Sequence, residues 1–267
     1  MTFSIITPTM NSAAHLEATI TSVLSQQGVE FEYLLIDGGS TDETLAIIKR
    51  YAAVDDRIRW ISEPDRGISD AFNKGIQLSK GDLIGIINSD DLYEQGALAL
   101  VSEQFTQHPH CDLVHGDMLR VEGERPLFRM VPGPVGSLIW REMPINHPAT
   151  FVKAACYRKW GGFDTGLSLT MDYELVLRFY RAGCCFCYLP RLLARMRYGG
   201  ASDNRFRAVR GELLRVTVAS GYPRWKAVWW YIYYLLAGTL KLLLRRTGLH
   251  AVMRLHPKFR PLSGDTP

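Results

Sequence analysis

The sequence has no secretory start. Met-Thr-Phe-Ser-Ile-Ile-Thr-Pro carries no basic n-region and only a two-residue apolar run, so a signal peptide is not expected and the fold is read as starting near residue 1. Cysteine is scarce: there are five, an odd number, three of them crowded at Cys184, Cys185 and Cys187, while Cys111 and Cys156 stand apart. That pattern does not suit a disulfide framework or a two-pair zinc site; it predicts buried free thiols in a reducing compartment. No Gly-x-Gly-x-x-Gly follows the first apolar run, which argues against a dinucleotide-dependent oxidoreductase. Internal repeats and low-complexity tracts are absent.

Acidic residues nearly vanish after Pro190. The chain up to Pro190 holds 16 Lys/Arg and 24 Asp/Glu, and the remainder holds 15 and 3, so the two parts carry about −8 and +12. This asymmetry does not fit nucleic-acid binding by the whole protein. It fits an acidic body with a basic tail that meets an anionic surface. The tail also holds the most apolar stretch, from Trp225 to Leu244, in which only 14 residues separate Lys226 from Lys241. About 20 are needed to span a bilayer. The aromatic residues and flanking cations predict instead a helix lying in a membrane interface, with burial against the body or in a homodimer as the alternative.

What is present in the first 110 residues is alternation. Short apolar runs at 3–7, 33–36, 58–62 and 83–88 are separated by segments of helical periodicity at about 14–27, 41–53, 68–79 and 94–107. Strands alternating with helices predict a doubly wound, mostly parallel α/β sheet that binds ligands beyond the carboxyl ends of its strands. Pro8-Thr9-Met10-Asn11, Asp37-Gly38-Gly39-Ser40 and Asn88-Ser89-Asp90-Asp91 each follow an apolar run, so three strand ends converge on one crevice. Ser40 or Thr41 is the expected cap of the second helix. From 110 to 150 the pattern weakens to a mixed region, and a helix is expected from Asp172 to Ala182.

The ordered series Ile-Ile-Thr-Pro-Thr-Met-Asn, Leu-Ile-Asp-Gly-Gly-Ser-Thr-Asp, Glu-Pro-Asp-Arg-Gly-Ile-Ser-Asp-Ala-Phe-Asn-Lys-Gly and Gly-Ile-Ile-Asn-Ser-Asp-Asp resembles the family 2 glycosyltransferases of GT-A fold. It continues through Asn146 to Phe151, Gly161-Gly162-Phe163-Asp164 and Met171 to Leu175, and looks most like bacterial enzymes of exopolysaccharide or capsule synthesis.

The resemblance implies a catalytic domain at 1–205, divided into a nucleotide-sugar half (1–110) and an acceptor half (111–205), with a membrane-associating helical tail at 206–267. A diphosphate leaving group calls for Mg²⁺ or Mn²⁺, which hard carboxylate oxygens bind. Asp90 and Asp91 can supply them, and the resemblance makes Asp90 the ligand, with Asn88 where an acid is usual. By the same likeness Asp37 reads the base and Pro8, Thr9 and Asn11 wall the nucleoside pocket. Arg66, Asp70, Asn73 and Lys74 lie in the segment that closes over the donor. Asp37 is otherwise read as an Asx turn and Asn11 as a helix cap.

Asp172 is the candidate base that takes a proton from the acceptor hydroxyl, or else an ordinary first-turn helix acid. The absence of an evident nucleophile favours inversion. His147 resembles an acceptor-side histidine, with a satisfied loop histidine as the equal alternative, and Arg195 to Ser202 is read either as a mobile basic loop that meets the diphosphate or as a solvated charged loop. The expected partners are a nucleotide-sugar donor, a saccharide or lipid-linked saccharide acceptor and an anionic membrane, on the cytoplasmic face of a bacterial cell membrane. A nucleotide-sugar-binding or assembly subunit without turnover is the rival; it would have no use for Asp172.

Overall fold

The computed structural model describes residues 1–198, 205–246 and 259–260. Strand β1 (Phe3–Thr9) is buried along its whole length, as the centre of a parallel sheet covered on both faces requires. It pairs in parallel with β2 (Phe31–Asp37) on one side and β4 (Leu83–Ile86) on the other, and β2 pairs in parallel with β3 (Ile58–Ser62). Helices α1 (Leu16–Leu24), α2 (Thr44–Ala52) and α3 (Ile68–Leu78) make the crossovers. Because β1 sits between β2 and β4, its end marks the point where the winding reverses, and the loops after β1, β2 and β4 open there.

Beyond β5 (Leu92–Tyr93) and α4 (Ala97–Gln107) the sheet changes character. The ten-residue β6 (Leu113–Glu122) forms an antiparallel hairpin with β7 (Arg125–Met130). After the short α5 (Val135–Leu138), β8 (Thr150–Lys153) runs antiparallel to both β4 and β6, bridging the two halves. Helices α6 (Ala154–Trp160) and α7 (Met171–Arg181) lead to β9 (Phe186–Arg197), which lies parallel to β6 and antiparallel to β5. Then come α8 (Phe206–Ala219), α9 (Arg224–Arg246) and β10 (Phe259–Arg260), whose backbone pairs with β7. The alternation along β1 sends Phe3 and Ile5 into a core with α1, α2 and α4, and Ile6 into a second core with Phe72 of α3, Leu177 of α7 and Val216 of α8.

Three expectations are corrected. Helix α2 begins at Thr44 with no side chain of Ser40 or Thr41 capping it; Asp42 Oδ1 accepts from the Thr44 N–H instead, at 3.0 Å. Arg195, Met196 and Arg197 belong to β9 rather than to a mobile loop, held by the parallel register with β6. Residues 199–204, the rest of that segment, lie outside the described residues. Cys111 and Cys187 are joined as a disulfide: the β6–β9 register sets Val114 against Cys187 and so brings together two cysteines 76 residues apart, which spacing alone could not show. Cys156, Cys184 and Cys185 are free.

Helix α8 buries Glu212, Val216 and Thr217 against the body, and Thr217 Oγ1 lies 3.0 Å from the Tyr173 hydroxyl of α7. Helix α9 divides into two faces. Ala227 is buried, Trp230 lies against the Arg141 guanidinium and Tyr234 against that of Arg210, while Trp225, Trp229, Ile232, Tyr233 and Leu236 are exposed at helical spacing. No described helix is long and apolar enough to cross a membrane.

Candidate active site

A cavity of about 770 Å³ opens where the ends of β1 and β4 meet the start of α7 and the end of β9. That volume lies within the usual range for a ligand cleft. Pro8, Thr9, Asn11, Asn88, Asp90 and Asp172, about six-tenths of the chain apart at the extremes, all line it, together with His147.

The donor end is built by loop stitching. Asn11 adopts a left-handed backbone (φ 49°), accepts from the Thr41 N–H at 2.9 Å through Oδ1, and its own N–H donates to Ser40 Oγ at 2.8 Å. It therefore ties the β1 loop to the β2 loop and is not the cap of α1. Ser89 and Ser12 join the β4 and β1 loops by a hydroxyl contact of 2.8 Å.

Asp37 is fully buried and does not line the cavity. Its carboxylate accepts from the hydroxyls of Ser40, Ser62 and Thr9 and from the N–H groups of Gly39 and Ser40. Burial alone would raise its pKa, yet these donors outweigh it and hold the carboxyl below its ordinary range. With five donors on two oxygens, Asp37 fixes the turn between β2 and α2. The acid that lines the cavity here is Asp65, packed so closely on Gly38 that a Cβ there would strike its carboxylate. Sequence reading passed over it, though it stands beside Arg66 in the same motif.

Arg66, Asp70, Asn73 and Lys74 do not line the cavity. The α3 residues that do are Ile68, Ala71 and Phe72, and the polar face of the helix turns elsewhere. Arg66 is largely exposed beside Asp70; Lys74 pairs with Glu63 at 2.9 Å and donates to the Pro64 carbonyl. Asn73 clamps the acceptor half: its Oδ1 accepts from the Phe163 N–H at 2.7 Å and its Nδ2 donates to the Phe163 carbonyl at 2.8 Å. Gly162 is needed beside it, because a Cβ there would collide with the Asn73 amide.

The two neighbouring aspartates differ. Asp90 faces the cavity, whereas Asp91 is 1% exposed and accepts from the Arg197 N–H at 3.2 Å and from Asn88 Nδ2 at 3.3 Å. Its burial, with the Asp90 charge beside it, pushes the Asp91 carboxyl up to about 8. Asp91 is thus a brace between the β4 loop and β9 rather than a second metal ligand. Asn88 Oδ1 is buried and has no hydrogen-bond partner among the described residues. An orphaned amide oxygen and a carboxylate two residues apart are hard oxygen donors, and they fit Mg²⁺ or Mn²⁺ with substrate oxygens and water completing the shell. Of the basic segment, Arg195 is taken up by Glu94 at 2.6 Å, while Arg197 lines the cavity with its Nε unpartnered among the described residues.

Asp172 sits in the first turn of α7, its Oδ1 accepting from the Tyr173 N–H at 2.7 Å. No side chain of α7 caps the helix. The cap comes from α8: the Glu212 carboxylate accepts from the N–H groups of Ser168, Leu169 and Thr170 at 3.3, 2.9 and 2.7 Å and from the Thr170 hydroxyl at 2.9 Å. These donors outweigh burial and lower the Glu212 pKa. Glu174 is bound to Arg178, which also donates to the Trp160 and Gly162 carbonyls, so it is not free to act as base. His147 packs on Phe72 with ring centroids 5.5 Å apart; burial pushes its pKa down, countered by the Asp172 charge, and its Nε2 has no partner among the described residues.

Residues 4–159 match the model of glycosyl transferase family 2. The chain belongs to that family. It is 42% identical over 213 residues to a PGL/p-HBAD biosynthesis glycosyltransferase of Mycobacterium bovis, covering 76% of this chain and 77% of the relative. It is 28% identical to a chondroitin synthase of Escherichia coli, covering 67% of this chain and about a quarter (26%) of that protein. Among solved structures it resembles S. aureus TarS (residues 1–349; TM-score 0.65, 20% identity, 85% of this chain and 68% of that one). It also resembles a mannosyltransferase from Pyrobaculum calidifontis in complex with GDP-Man and Mn²⁺ (TM-score 0.62, 18% identity, 96% and 81%). The fold is the GT-A glycosyltransferase fold expected from the motifs.

Proposed function

We propose that this glycosyltransferase moves one sugar from a nucleotide-diphosphate donor to a hydroxyl of a lipid-linked saccharide, with inversion and with a divalent cation, in the synthesis of a cell-surface glycan such as an exopolysaccharide. The observation that carries the reading is a single cavity lined by Asp90 and the orphaned Asn88 oxygen in one part and by Asp172 in another. Asp90 and Asn88 hold Mg²⁺ or Mn²⁺, which, when bound, neutralises the charge developing on the leaving diphosphate. Arg197 adds a fixed positive charge on the same wall. Asp172 accepts the proton of the acceptor hydroxyl as its oxygen attacks the anomeric carbon and the diphosphate departs, a single displacement that inverts the centre. The solved TarS complexes with UDP-GlcNAc and UDP, and the GDP-Man complex of the mannosyltransferase, support a nucleotide-sugar at this crevice.

Hydrolysis of a panel of UDP- and GDP-sugars by the purified protein, with Mg²⁺, Mn²⁺ or EDTA, tests this. Release of nucleoside diphosphate that needs the cation is the expected result; no turnover of any donor under any of the three conditions rejects it.

The exposed stripe of α9 supports peripheral attachment to the inner face of the membrane. Its two Trp, one Tyr, one Ile and one Leu are the side chains that enter an interface, and Arg224 and Lys226 adjoin them, each basic residue adding roughly 1 kcal/mol near an anionic surface. Replacing Trp225 and Trp229 with Ser should reduce co-sedimentation with anionic vesicles, and high salt should reduce it further. Unchanged pelleting by the double variant rejects the stripe as the contact.

A further inference from the structure

The cavity is lined far more by apolar than by polar surface, and its apolar part is not spread evenly. Six of the eight methionines of the chain line it. Met10 stands at the nucleoside end. The other five, Met118, Met130, Met143, Met171 and Met196, come from β6, the end of β7, the segment before β8, the start of α7 and the end of β9, and so converge on the acceptor half from five separate elements. Met171 directly precedes Asp172.

A thioether offers no hydrogen-bond donor and only a weak acceptor, but it is flexible and polarizable and moulds itself to apolar and aromatic surfaces. Apart from Met196, whose Sδ accepts from Arg120 Nη1 at 2.9 Å, these thioethers are poorly matched to a bare sugar, whose hydroxyls need partners and whose C–H faces stack on indole or phenol rings. No Trp or Tyr lines the cavity among the described residues. Asn146, which also lines this part of the cavity, has its Nδ2 committed to the carbonyls of Gly116 and Met130 at 3.1 and 3.0 Å.

We propose that the acceptor is a glycoside whose apolar aglycone, aryl or alkyl, lies inside the protein on this methionine wall while the reacting hydroxyl reaches Asp172. The inference rests on the reading of Asp172 as base and of the β1, β2 and β4 loops as the donor end. It goes further by assigning the part of the acceptor nearest the sugar to the cavity rather than to the bilayer, and by giving the site a preference for the aglycone over the sugar.

The methionines themselves report the test. With methionine labelled at the ¹³C-methyl group, the full chain is titrated with methyl, phenyl and n-hexyl β-D-glucopyranoside, and separately with UDP and GDP in the presence of Mg²⁺. The expected result is that phenyl or hexyl glucoside shifts the Met130, Met143 and Met171 methyl signals at concentrations at least tenfold below those at which methyl glucoside does; which of the two binds better separates an aryl from an alkyl aglycone. One of the nucleotides should shift Met10 instead. In the M130Q/M143Q variant the Met171 response to phenyl or hexyl glucoside should weaken about tenfold, with the nucleotide response of Met10 retained as the check on folding. Equal responses to all three glucosides, or none to phenyl and hexyl while a nucleotide binds, overturn the aglycone site and leave the transferase reading standing. If neither nucleotide nor any glucoside shifts a cavity methionine, both fail together.

Discussion

The donor and acceptor halves of the cavity are made in different ways. On the donor side Pro8 and Thr9 end β1, Asn11, Asn88 and Asp90 lie in the loops that follow β1 and β4, and the loops are bound to one another by short contacts such as Asn11 to Ser40 and Thr41. On the acceptor side Asp172 depends on a partner far along the chain: Glu212 reaches back about 40 residues to Ser168, Leu169 and Thr170. A parallel sheet collects its strand ends at one edge without further help, so donor chemistry follows from local order. A base on a helix needs that helix placed, and here a second helix places it.

The largest effect should come from the donor side. Asp90→Asn keeps the shape of the side chain but removes the charge that binds the cation, and turnover should fall by about 10³ or more at fixed Mn²⁺ while the melting temperature hardly moves. Wild-type rates in the same buffer would break the assignment.

Glu212 comes next. Glu212→Ala leaves three N–H groups and a hydroxyl at the start of α7 without their acceptor, costing on the order of 2–4 kcal/mol of stability and lowering kcat about 10- to 100-fold through misplacement of Asp172. Glu212→Gln, which keeps an acceptor oxygen, should recover much of both. Equal loss in the two variants would show that charge, not placement, matters. The pH dependence has a definite sign. Asp37 and Glu212 have lowered folded pKa values, so their contribution is complete above the ordinary carboxylate range near pH 4 and disappears as pH falls through the folded values. Melting temperature should therefore drop between about pH 5 and 3, less steeply in Glu212→Gln than in the parent.

Smaller still, Arg66→Ala and Lys74→Ala should change kcat/KM by no more than about threefold, because neither side chain reaches the cavity. A tenfold rise in donor KM from either would mean that the segment closes over the donor in a state different from this one.

The sequence disclosed the parallel half well. Apolar runs at 3–7, 33–36, 58–62 and 83–88 became β1 to β4; β1, β2 and β4 are buried on both faces and so nearly wholly apolar, while β3 ends the sheet and is only partly buried. It could not tell which side of a loop or helix faces inward. Asp37 and Asp91 look as available as Asp90 in one dimension, yet one is consumed by its own turn and the other by Arg197 and Asn88. Asn73 stood out as a donor contact but serves to hold Phe163. Glu212 was invisible, since a lone acid in a basic tail carries no local signal; only its proximity to Thr170 does. The disulfide and the β6–β9 pairing likewise arise from contacts between distant segments.

The account stands most directly on the division of labour between Asp90 and Asp172. Donor affinity and kcat measured together for Asp172→Asn, with Mg²⁺ present and the donor found in the hydrolysis screen, decide it. Dissociation constants within about threefold of the parent, with kcat for transfer reduced about 10²- to 10⁴-fold, are predicted. Donor binding that collapses while kcat survives would contradict the account and move Asp172 into the donor site.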